Sequence, residues 1–361
     1  MRRDPRGEEV PAVRFTGSRS WPRAAVVLAA ALALGALLWG RGHFSSRDRP
    51  IRLMVYAFST QEPVLTQSLL PAFREAWAAA GGRDIVIESV FGPSATLAGQ
   101  INLGAPADVT LFSNAPHVTW LRTAKRVRAD TEPVVVGCTP LVIVVRAALR
   151  ERVRDFADLA SPGVRLLHAD PEKSGVGEWS ILAVYGSALF ATPGAAGPDA
   201  GAAQLEAVWR NVQLLAPSAR ALMTLYELGA GDALITYEQD ALLARQRGVD
   251  AEIVVPPRTV AACHVASLVD SNVSRSERPA AEALLSFMTG EQGQAIFRSY
   301  FLRPPDLADR EFAPLGELFT PDDLGGWAHA HRSLVEGHWR QHIRPRLQLD
   351  SGPVLLGPAE R

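Results

Sequence analysis

The sequence predicts an α/β protein in which each half of the chain forms a mostly parallel sheet flanked by helices. From Ile51 onward, short apolar segments alternate with amphipathic ones, a pattern typical of βαβ units. The 361 residues are 47% hydrophobic, which indicates a well-packed body of one or two domains. The formal net charge of −1 gives no electrostatic reason to expect a nucleic-acid partner.

The N-terminus indicates where the protein works. Residues 24–40 are uncharged and long enough to span a lightly tilted bilayer. Six arginines precede them, which favours a cytoplasmic location for residues 1–23. No small-x-small cleavage site follows the apolar stretch, and the linker at 41–50 has no cysteine for lipid attachment. We therefore expect an uncleaved single-pass anchor at 24–40, with the rest of the chain exported.

The elements follow in order along the chain. Apolar or alternating segments predict strands at 51–58, 84–92, 108–112, 139–146, 163–170, 232–237, 252–257 and 264–270. Helical periodicity predicts helices at 62–82, from 94, at 175–189, at 218–228, and two in succession within 278–301. The stretch 191–203, rich in Ala, Gly and Pro, is predicted to be a loop.

Four strand-to-helix junctions share one chemistry. Each places a serine among small residues at the start of a turn or helix, and the serines are Ser59, Ser94, Ser174 and Ser218. Helix N-termini at the carboxyl ends of parallel strands present unpaired N–H groups, and these bind anions. A serine is also the ordinary helix cap, so each of the four is alternatively only structural. Two junctions in each half suggest one anion site shared between the halves.

The segment "GPSATLAGQINLGAPADV", residues 92–109, carries this hypothesis furthest. Ser94 stands where a helix N-cap belongs, and no charged residue follows it for more than a turn. Most helices place an acidic residue near the N-terminus because it offsets the helix dipole. A bound anion would supply that negative charge here.

At these residues the chain resembles the type II periplasmic solute-binding proteins for tetrahedral oxyanions. The resemblance covers residues 51–339. "FGPSATLAGQINLGAPADV" is similar to the molybdate-binding branch. "DPEKSGVGEW", "SARALMTLYELGAGDALITYEQDALL", "FLRPPD" and "ELFTPDDLGGWAHA" are similar to the sulfate/thiosulfate branch. On balance the chain is identified as a member of the sulfate/thiosulfate-binding family with a molybdate-like stretch.

The resemblance implies a ligand-binding set, position by position. The matched residues are Ser59, Ser94, Ser174, Gly175, Val176, Ala219 and Tyr237. Tyr237 matches a tyrosine of the molybdate branch, and Val176 stands where sulfate binders have glycine. Two other positions depart from the sulfate pattern, with Ala57 in place of Asp and Glu178 in place of Arg. The resemblance implies no cofactor and no metal.

The resemblance also implies the type II periplasmic-binding-protein fold, the two-lobed Venus flytrap. Lobe 1 is expected to comprise 51–136 and 263–340, lobe 2 to comprise 137–262, and 341–361 to form a tail. The chain is expected to cross between the lobes near 134–140 and to return near 260–266. Closure of two such lobes around a ligand buries it.

The implied function is an extracytoplasmic binding protein that delivers sulfate or thiosulfate to the permease subunits of an ABC importer. Molybdate or tungstate is the alternative ligand, and a membrane-tethered oxyanion sensor without an importer is the alternative role. Enzyme signatures are absent from the sequence: there is no Gly-x-Ser-x-Gly, dinucleotide-binding or phosphate-loop motif. Phosphate requires a carboxylate acceptor, and Glu178 is expected to face solvent.

The remaining chemistry-bearing residues have simpler interpretations. Cys138 and Cys263 lie at the start of their predicted strands, and antiparallel crossings would put them at opposite ends. A bridge between them is therefore not expected, although the exported location would permit one. The histidines His329, His331, His338 and His342 include an i, i+4 pair, but a solvated surface helix explains them better than a metal site.

Overall fold

The computed structural model describes residues 50–191 and 197–347. The predicted anchor at 24–40, the segment 192–196 and the end of the tail from 348 lie outside the described residues. No helix in the two described ranges is long and apolar enough to cross a membrane.

All eight predicted strands are present, two of them begin earlier than predicted, and the structure adds two more. They are β1 Ile51–Phe58, β2 Ile85–Gly92, β3 Val109–Phe112, β4 Val134–Val145, β5 Leu166–Ala169, β6 Val212–Ala216, β7 Ala233–Tyr237, β8 Glu252–Val254, β9 Arg258–Leu268 and β10 Glu317–Phe319. Hydrogen bonds join eight of them in the order β2-β1-β3-β9-β4-β7-β5-β6, with β8 on β4 and β10 on β9.

Helices separate the strands. They are α1 Leu70–Ala79, α2 Ser94–Asn102, α3 Ala115–Thr123, α4 Gly175–Leu189, α5 Pro198–Trp209, α6 Ala219–Glu227, α7 Glu238–Gln246, α8 Arg278–Thr289, α9 Glu291–Ser299 and α10 Trp327–Ala330. Helical turns at Ser59–Gln61, Glu62–Val64 and Leu65–Leu69 lead into α1, and a π-helical stretch at His331–Ile343 continues α10.

The sheet is parallel at its two ends and antiparallel in the middle. β1 pairs in parallel with β2 and β3, and β5 pairs in parallel with β6 and β7. The two long strands β4 and β9 run antiparallel between these groups. We call the body around β1–β3 the first lobe and the body around β5–β7 the second lobe. The crossings predicted near 134–140 and 260–266 lie within β4 and β9.

A disulfide joins the two crossing strands, which corrects the expectation that the cysteines lie apart. Cys138 and Cys263 are directly opposite in the β4–β9 register, with a Cα–Cα distance of 4.0 Å, and their sulfurs are bonded. The expectation was wrong because β4 begins at Val134 and β9 at Arg258. Both cysteines therefore lie inside their strands, where antiparallel pairing brings them together.

The second lobe contains three elements that the sequence pattern missed, and one of them is helix α7 at Glu238–Gln246. Helix α5 begins at Pro198, inside the predicted loop at 191–203, and strand β6 follows it. Trp209 ends α5 and packs against Trp339 of the π-helical stretch, with ring centroids 5.4 Å apart. Helix α5 packs mainly on α4, where Gln204 Nε2 donates to the Val184 carbonyl oxygen at 2.9 Å, and only its last turn meets the C-terminal segment.

Candidate functional site

The predicted site residues lie at the carboxyl ends of the parallel strands. Ser59 follows β1, Ser94 begins α2 just after β2, and Gly175 begins α4 after β5. Ala219 begins α6 after β6, and Tyr237 is the last residue of β7. All five are buried. Their common edge is where helix N-termini present N–H groups without intrahelical acceptors.

Three of the predicted residues, from both lobes, converge on Ser113. The hydroxyl oxygens of Ser94 and Ser113 are 2.9 Å apart, and the Ser113 backbone N–H donates to Ser94 Oγ at 3.1 Å. From the second lobe, a Cβ built on Gly175 would lie only 1.9 Å from Ser113 Oγ and 3.5 Å from the Tyr237 hydroxyl oxygen. We call these four residues (Ser94, Ser113, Gly175 and Tyr237) the cleft cluster.

Ser113 was not predicted from the sequence. It directly follows β3, and the small and polar residues after it lead into α3, so it shows the same strand-end pattern as the four serines that were singled out. That pattern was the available signal. A hydroxyl at the end of β3 belongs to the same edge as the ends of β1 and β2, because these strands are parallel.

The N-terminus of α2 is bare, as the sequence indicates. The first turn contains no acidic residue, and the residue at the N-cap position is Pro93, which makes no side-chain cap bond. Ser94 is the first helical residue, and its hydroxyl is directed to Ser113 instead of capping its own helix. The alternative of a purely structural cap therefore does not describe Ser94.

Ser218 differs from the other serines because it is a true cap. Its hydroxyl accepts a hydrogen bond from the Ala221 backbone N–H at 3.1 Å, as expected of an N-cap residue. Ser174 occupies the N-cap position of α4 without such a bond. The amides of Gly175 and Val176, in the first turn of α4, have no acceptor inside the helix.

Side chains next to Ser59 connect the two lobes. Thr60 Oγ1 donates to Asp240 Oδ2 at 3.1 Å, and Gln61 Nε2 donates to Gln239 Oε1 at 2.7 Å. Trp179 of the second lobe donates its indole N–H to the Ser113 carbonyl oxygen at 3.2 Å. The lobes are thus in direct contact around the cleft cluster. Contact of each of the seven predicted residues with a ligand stays a prediction.

Glu178 corrects another expectation, since it is buried and not directed to solvent. It is 2% exposed, and its Oε2 accepts a hydrogen bond from Asn114 Nδ2 of the first lobe at 2.7 Å. Oε1 lies 3.4 Å from His331 Nε2, and Oε2 lies 3.9 Å from His117 Nε2. The sequence could not show this orientation, because the partners come from α3 and from the C-terminal segment.

The groups around the cleft cluster are held neutral by burial. Burial raises the pKa of Tyr237 well above its ordinary value, with a smaller opposing effect of the Ser113 hydroxyl, so the phenol keeps its proton. Burial also lowers the pKa of His264, whose ring lies edge-on to that of Tyr237, to about 3. Within the described residues, the Tyr237 hydroxyl has no hydrogen-bond partner of good geometry. A buried hydroxyl in this state is available to a ligand.

Two of the C-terminal histidines lie beside carboxylates of the second lobe. The parts of the chain that the structure describes contain no group of three or more His, Cys, Asp or Glu side chains arranged to hold a metal ion. His338 pairs with Glu206 at 3.6 Å, and His331 with Glu178. The expectation of a solvated surface position was wrong for His331, whose side chain is only 17% exposed.

Comparison with known proteins places the chain among binding proteins. Residues 53–303 match the family model described as bacterial extracellular solute-binding protein. A sulfate-binding protein of Salmonella typhimurium is 33% identical over 284 residues, which are 72% of this chain and 83% of the relative. A thiosulfate-binding protein of Pseudomonas aeruginosa is 28% identical over 74% of this chain and 83% of the relative.

A solved structure supports the same placement. The sulfate-binding protein SubI from Mycobacterium tuberculosis H37Rv superimposes with a TM-score of 0.71 at 28% identity. The match covers 79% of this chain and 99% of SubI. The two-lobed α/β architecture predicted from the sequence is therefore confirmed.

Proposed function

The chain belongs to the bacterial extracellular solute-binding proteins, and from that membership we propose that it binds a tetrahedral oxyanion, preferably sulfate or thiosulfate. The relatives reported above are named sulfate-binding or thiosulfate-binding proteins. The proposed binding set is the cleft cluster together with Ser59, Ser174, Val176 and Ala219.

The observation that carries the proposal is the neutral, donor-rich character of the cleft cluster. Ser94 and Ser113 offer hydroxyls, Tyr237 offers a phenol that stays protonated, and the first turns of α2 and α4 offer backbone amides. A fully ionised sulfate has acceptors only, so it is best matched by fixed donors without a competing carboxylate. None of the four cluster residues carries a charge.

The carboxylate of Glu178 does not convert this site into a phosphate site. Phosphate near neutral pH keeps a proton and needs an acceptor. Glu178 is buried nearby, but one of its oxygens accepts from Asn114 and the other faces His331. Both oxygens have partners outside the cluster, which favours fully ionised anions.

Molybdate or tungstate is the second candidate ligand, and the tyrosine at the end of β7 favours it. Tyr237 matches a residue of the molybdate branch, and its hydroxyl has no partner of good geometry in the described structure. A larger oxyanion with longer bonds to oxygen could be met by this additional donor. The preference between sulfate and molybdate should therefore depend on Tyr237, and it can be measured with a variant of that residue.

We further propose that the bound anion is delivered to ABC permease subunits and that residues 24–40 tether the protein to the membrane. The lobes predicted at 51–136 with 263–340, and at 137–262, would close on the anion, except that the π-helical stretch His331–Ile343 packs mainly on the second lobe rather than on the first. A tethered sensor without an importer would share the binding site, and neighbouring genes for a permease and an ATPase would distinguish the two roles.

Titration calorimetry with the full chain in detergent tests the proposed function. Sulfate, thiosulfate, molybdate, tungstate and phosphate are titrated at one ionic strength. We expect binding of sulfate or thiosulfate, and much weaker binding of phosphate. Tight phosphate binding that strengthens as the pH falls would contradict the proposal, because it would require a carboxylate facing the ligand.

A further inference from the structure

Glu178 joins three parts of the molecule that are distant in sequence. The residue lies in the first turn of α4, in the second lobe, and its partner Asn114 directly follows Ser113 of the first lobe. Its other neighbour, His331, begins the π-helical stretch at the C-terminus. We call Glu178, Asn114 and His331 the Glu178 latch.

The geometry of Asn114 indicates that this contact is more than incidental. Asn114 occupies the N-cap position of α3, where its type ordinarily caps, but it makes no side-chain cap bond there. Its amide group instead donates across the cleft to Glu178, and within the described chain its Oδ1 has no partner. Both Asn114 and Glu178 are almost completely buried. The side chain therefore gives up a local bond for one between the lobes.

The C-terminal segment fixes the second-lobe side of the latch. Arg340 and Arg344 of that segment pair with Glu172 at 2.7 and 2.6 Å, and Trp339 packs against Trp209. His331 thus reaches Glu178 from a helix that is anchored on the second lobe. Opening of the cleft would separate Asn114 from Glu178 and leave a carboxylate without its first-lobe donor.

We propose that Glu178 is a positioning residue, whose hydrogen bond to Asn114 holds the lobes closed and thereby sets the affinity for the bound anion. The inference rests on the proposed function, since closure matters only if a ligand is bound between the lobes. Glu178 does not touch the anion in this proposal. It acts by favouring the closed arrangement, in which the N-termini of α2 and α4 meet, and a ligand gains affinity from a state that is already populated.

The proposal is tested by exchanging the amide of Asn114 and the carboxylate of Glu178 between the two positions. In N114D two carboxylates face each other at hydrogen-bond distance, and such a buried like-charge contact opposes closure. We expect the affinity for sulfate, by calorimetry on the full chain, to fall by more than about a hundredfold. In E178Q the glutamine oxygen still accepts from Asn114. In N114D/E178Q the glutamine amide donates to the new carboxylate, and the affinity should return to within about tenfold of the parent.

The control is Asn211→Asp, which removes a donor to the carbonyl oxygens of Leu159 and Ser161 in the second lobe. It should lower the melting temperature without being rescued by E178Q. Equal loss of affinity in N114D and in the double variant would overturn the latch, as would no loss in N114D.

Two further outcomes keep the test decisive. If N114D does not fold, the double variant decides: near-parent affinity supports the latch, and failure to fold or bind overturns it. If the parent protein binds none of the oxyanions, the proposed function fails and the latch fails with it. Binding by the parent with no rescue overturns the latch alone.

Discussion

The Tyr237 hydroxyl offers the sharpest test of the cleft cluster, because in the described structure it makes no hydrogen bond of good geometry that the substitution would remove. Tyr237→Phe should therefore leave the melting temperature of the ligand-free protein unchanged. If the phenol donates to the anion, its removal costs about 1.5–3 kcal/mol, or roughly a tenfold to hundredfold weaker affinity. Calorimetry and thermal melts with and without sulfate measure the two effects separately.

Tyr226→Phe is the matched control, since the Tyr226 hydroxyl donates to the Asp250 carbonyl oxygen at 3.1 Å. Loss of that bond should lower the melting temperature and leave the affinity unchanged. An unchanged affinity in Tyr237→Phe would remove Tyr237 from the binding set and weaken the case for a molybdate ligand.

Asp240 provides a prediction about pH. Burial raises its pKa to about 6, against smaller opposing effects of the Thr60 and Thr236 hydroxyls. The pKa of Asp240 in the folded protein is above its value in the unfolded chain. The protonated carboxyl therefore stabilises the folded protein below about pH 4, and this stabilisation is lost as the pH rises through about 6. The melting temperature of the Asp240→Asn variant should therefore be higher than that of the parent at pH 8 and equal to it at pH 4.

The opposite change in melting temperature is expected for Asp232→Asn. A hydrogen bond from Arg165 lowers the pKa of Asp232, so that pair stabilises the folded protein above the ordinary pKa of the group. This variant should melt lower than the parent at pH 8, and the difference should shrink in acid. The same pH trend in both variants would show that burial does not govern Asp240.

Among the secondary-structure elements, the disulfide between β4 and β9 joins the two strands that run between the lobes. It closes a sequence separation of 125 residues, and removal of such a bridge costs about 2–5 kcal/mol. The double variant C138S/C263S should melt markedly lower than the parent. The β4–β9 hydrogen bonds remain, so the affinity for the anion should stay within a few fold.

Mass spectrometry with a thiol reagent supplies the control, because the parent should take up the reagent only after reduction. Uptake by the unreduced parent, or an unchanged melting temperature in the double variant, would show that the bridge does not form or does not stabilise.

The elements also show how much of the fold can be predicted from sequence. Strands β1, β3 and β7 are largely buried apolar runs, so their pattern is local and their ends were found. Register is not local: Cys138 and Cys263 pair because both strands begin earlier than the apolar pattern suggests. Helix α5 packs on α4 and, at Trp209, on Trp339, and these tertiary contacts are not visible in the Ala-, Gly- and Pro-rich sequence of 191–203.

The candidate site likewise contains residues that the local sequence located and others that depend on contacts between distant segments. Strand ends and small residues located Ser94, because topology alone brings strand ends to one edge. Gly175 and Tyr237 were implied only by the resemblance to oxyanion-binding proteins. Ser113 shared the strand-end pattern and was overlooked. The orientation of Glu178 depends on Asn114 and His331, so it required the three-dimensional arrangement of both lobes.

For the molecule as a whole, the two lobes are held together by several separate bonds across the cleft. Thr60 bonds to Asp240, Gln61 to Gln239, Asn114 to Glu178, and the Trp179 indole to the Ser113 carbonyl. A ligand that binds between the lobes adds to these contacts. Its affinity therefore includes the difference in free energy that these contacts make between the open and closed forms.

The predicted anchor, if it is retained, would hold the binding domain at the membrane. Residues 24–40 lie outside the described residues, and the prediction rests on their uncharged length and on the arginines before them. If the segment stays attached, the protein should fractionate with membranes, resist extraction by high salt and be released by detergent. N-terminal sequencing should then begin at Met1 or Arg2. A variant lacking residues 1–40, exported by a cleavable signal, is the control and should be soluble with unchanged oxyanion affinity. Recovery of a soluble native form that begins within 41–50 would show that the segment is a signal peptide, and would remove the structural reason for considering a tethered sensor.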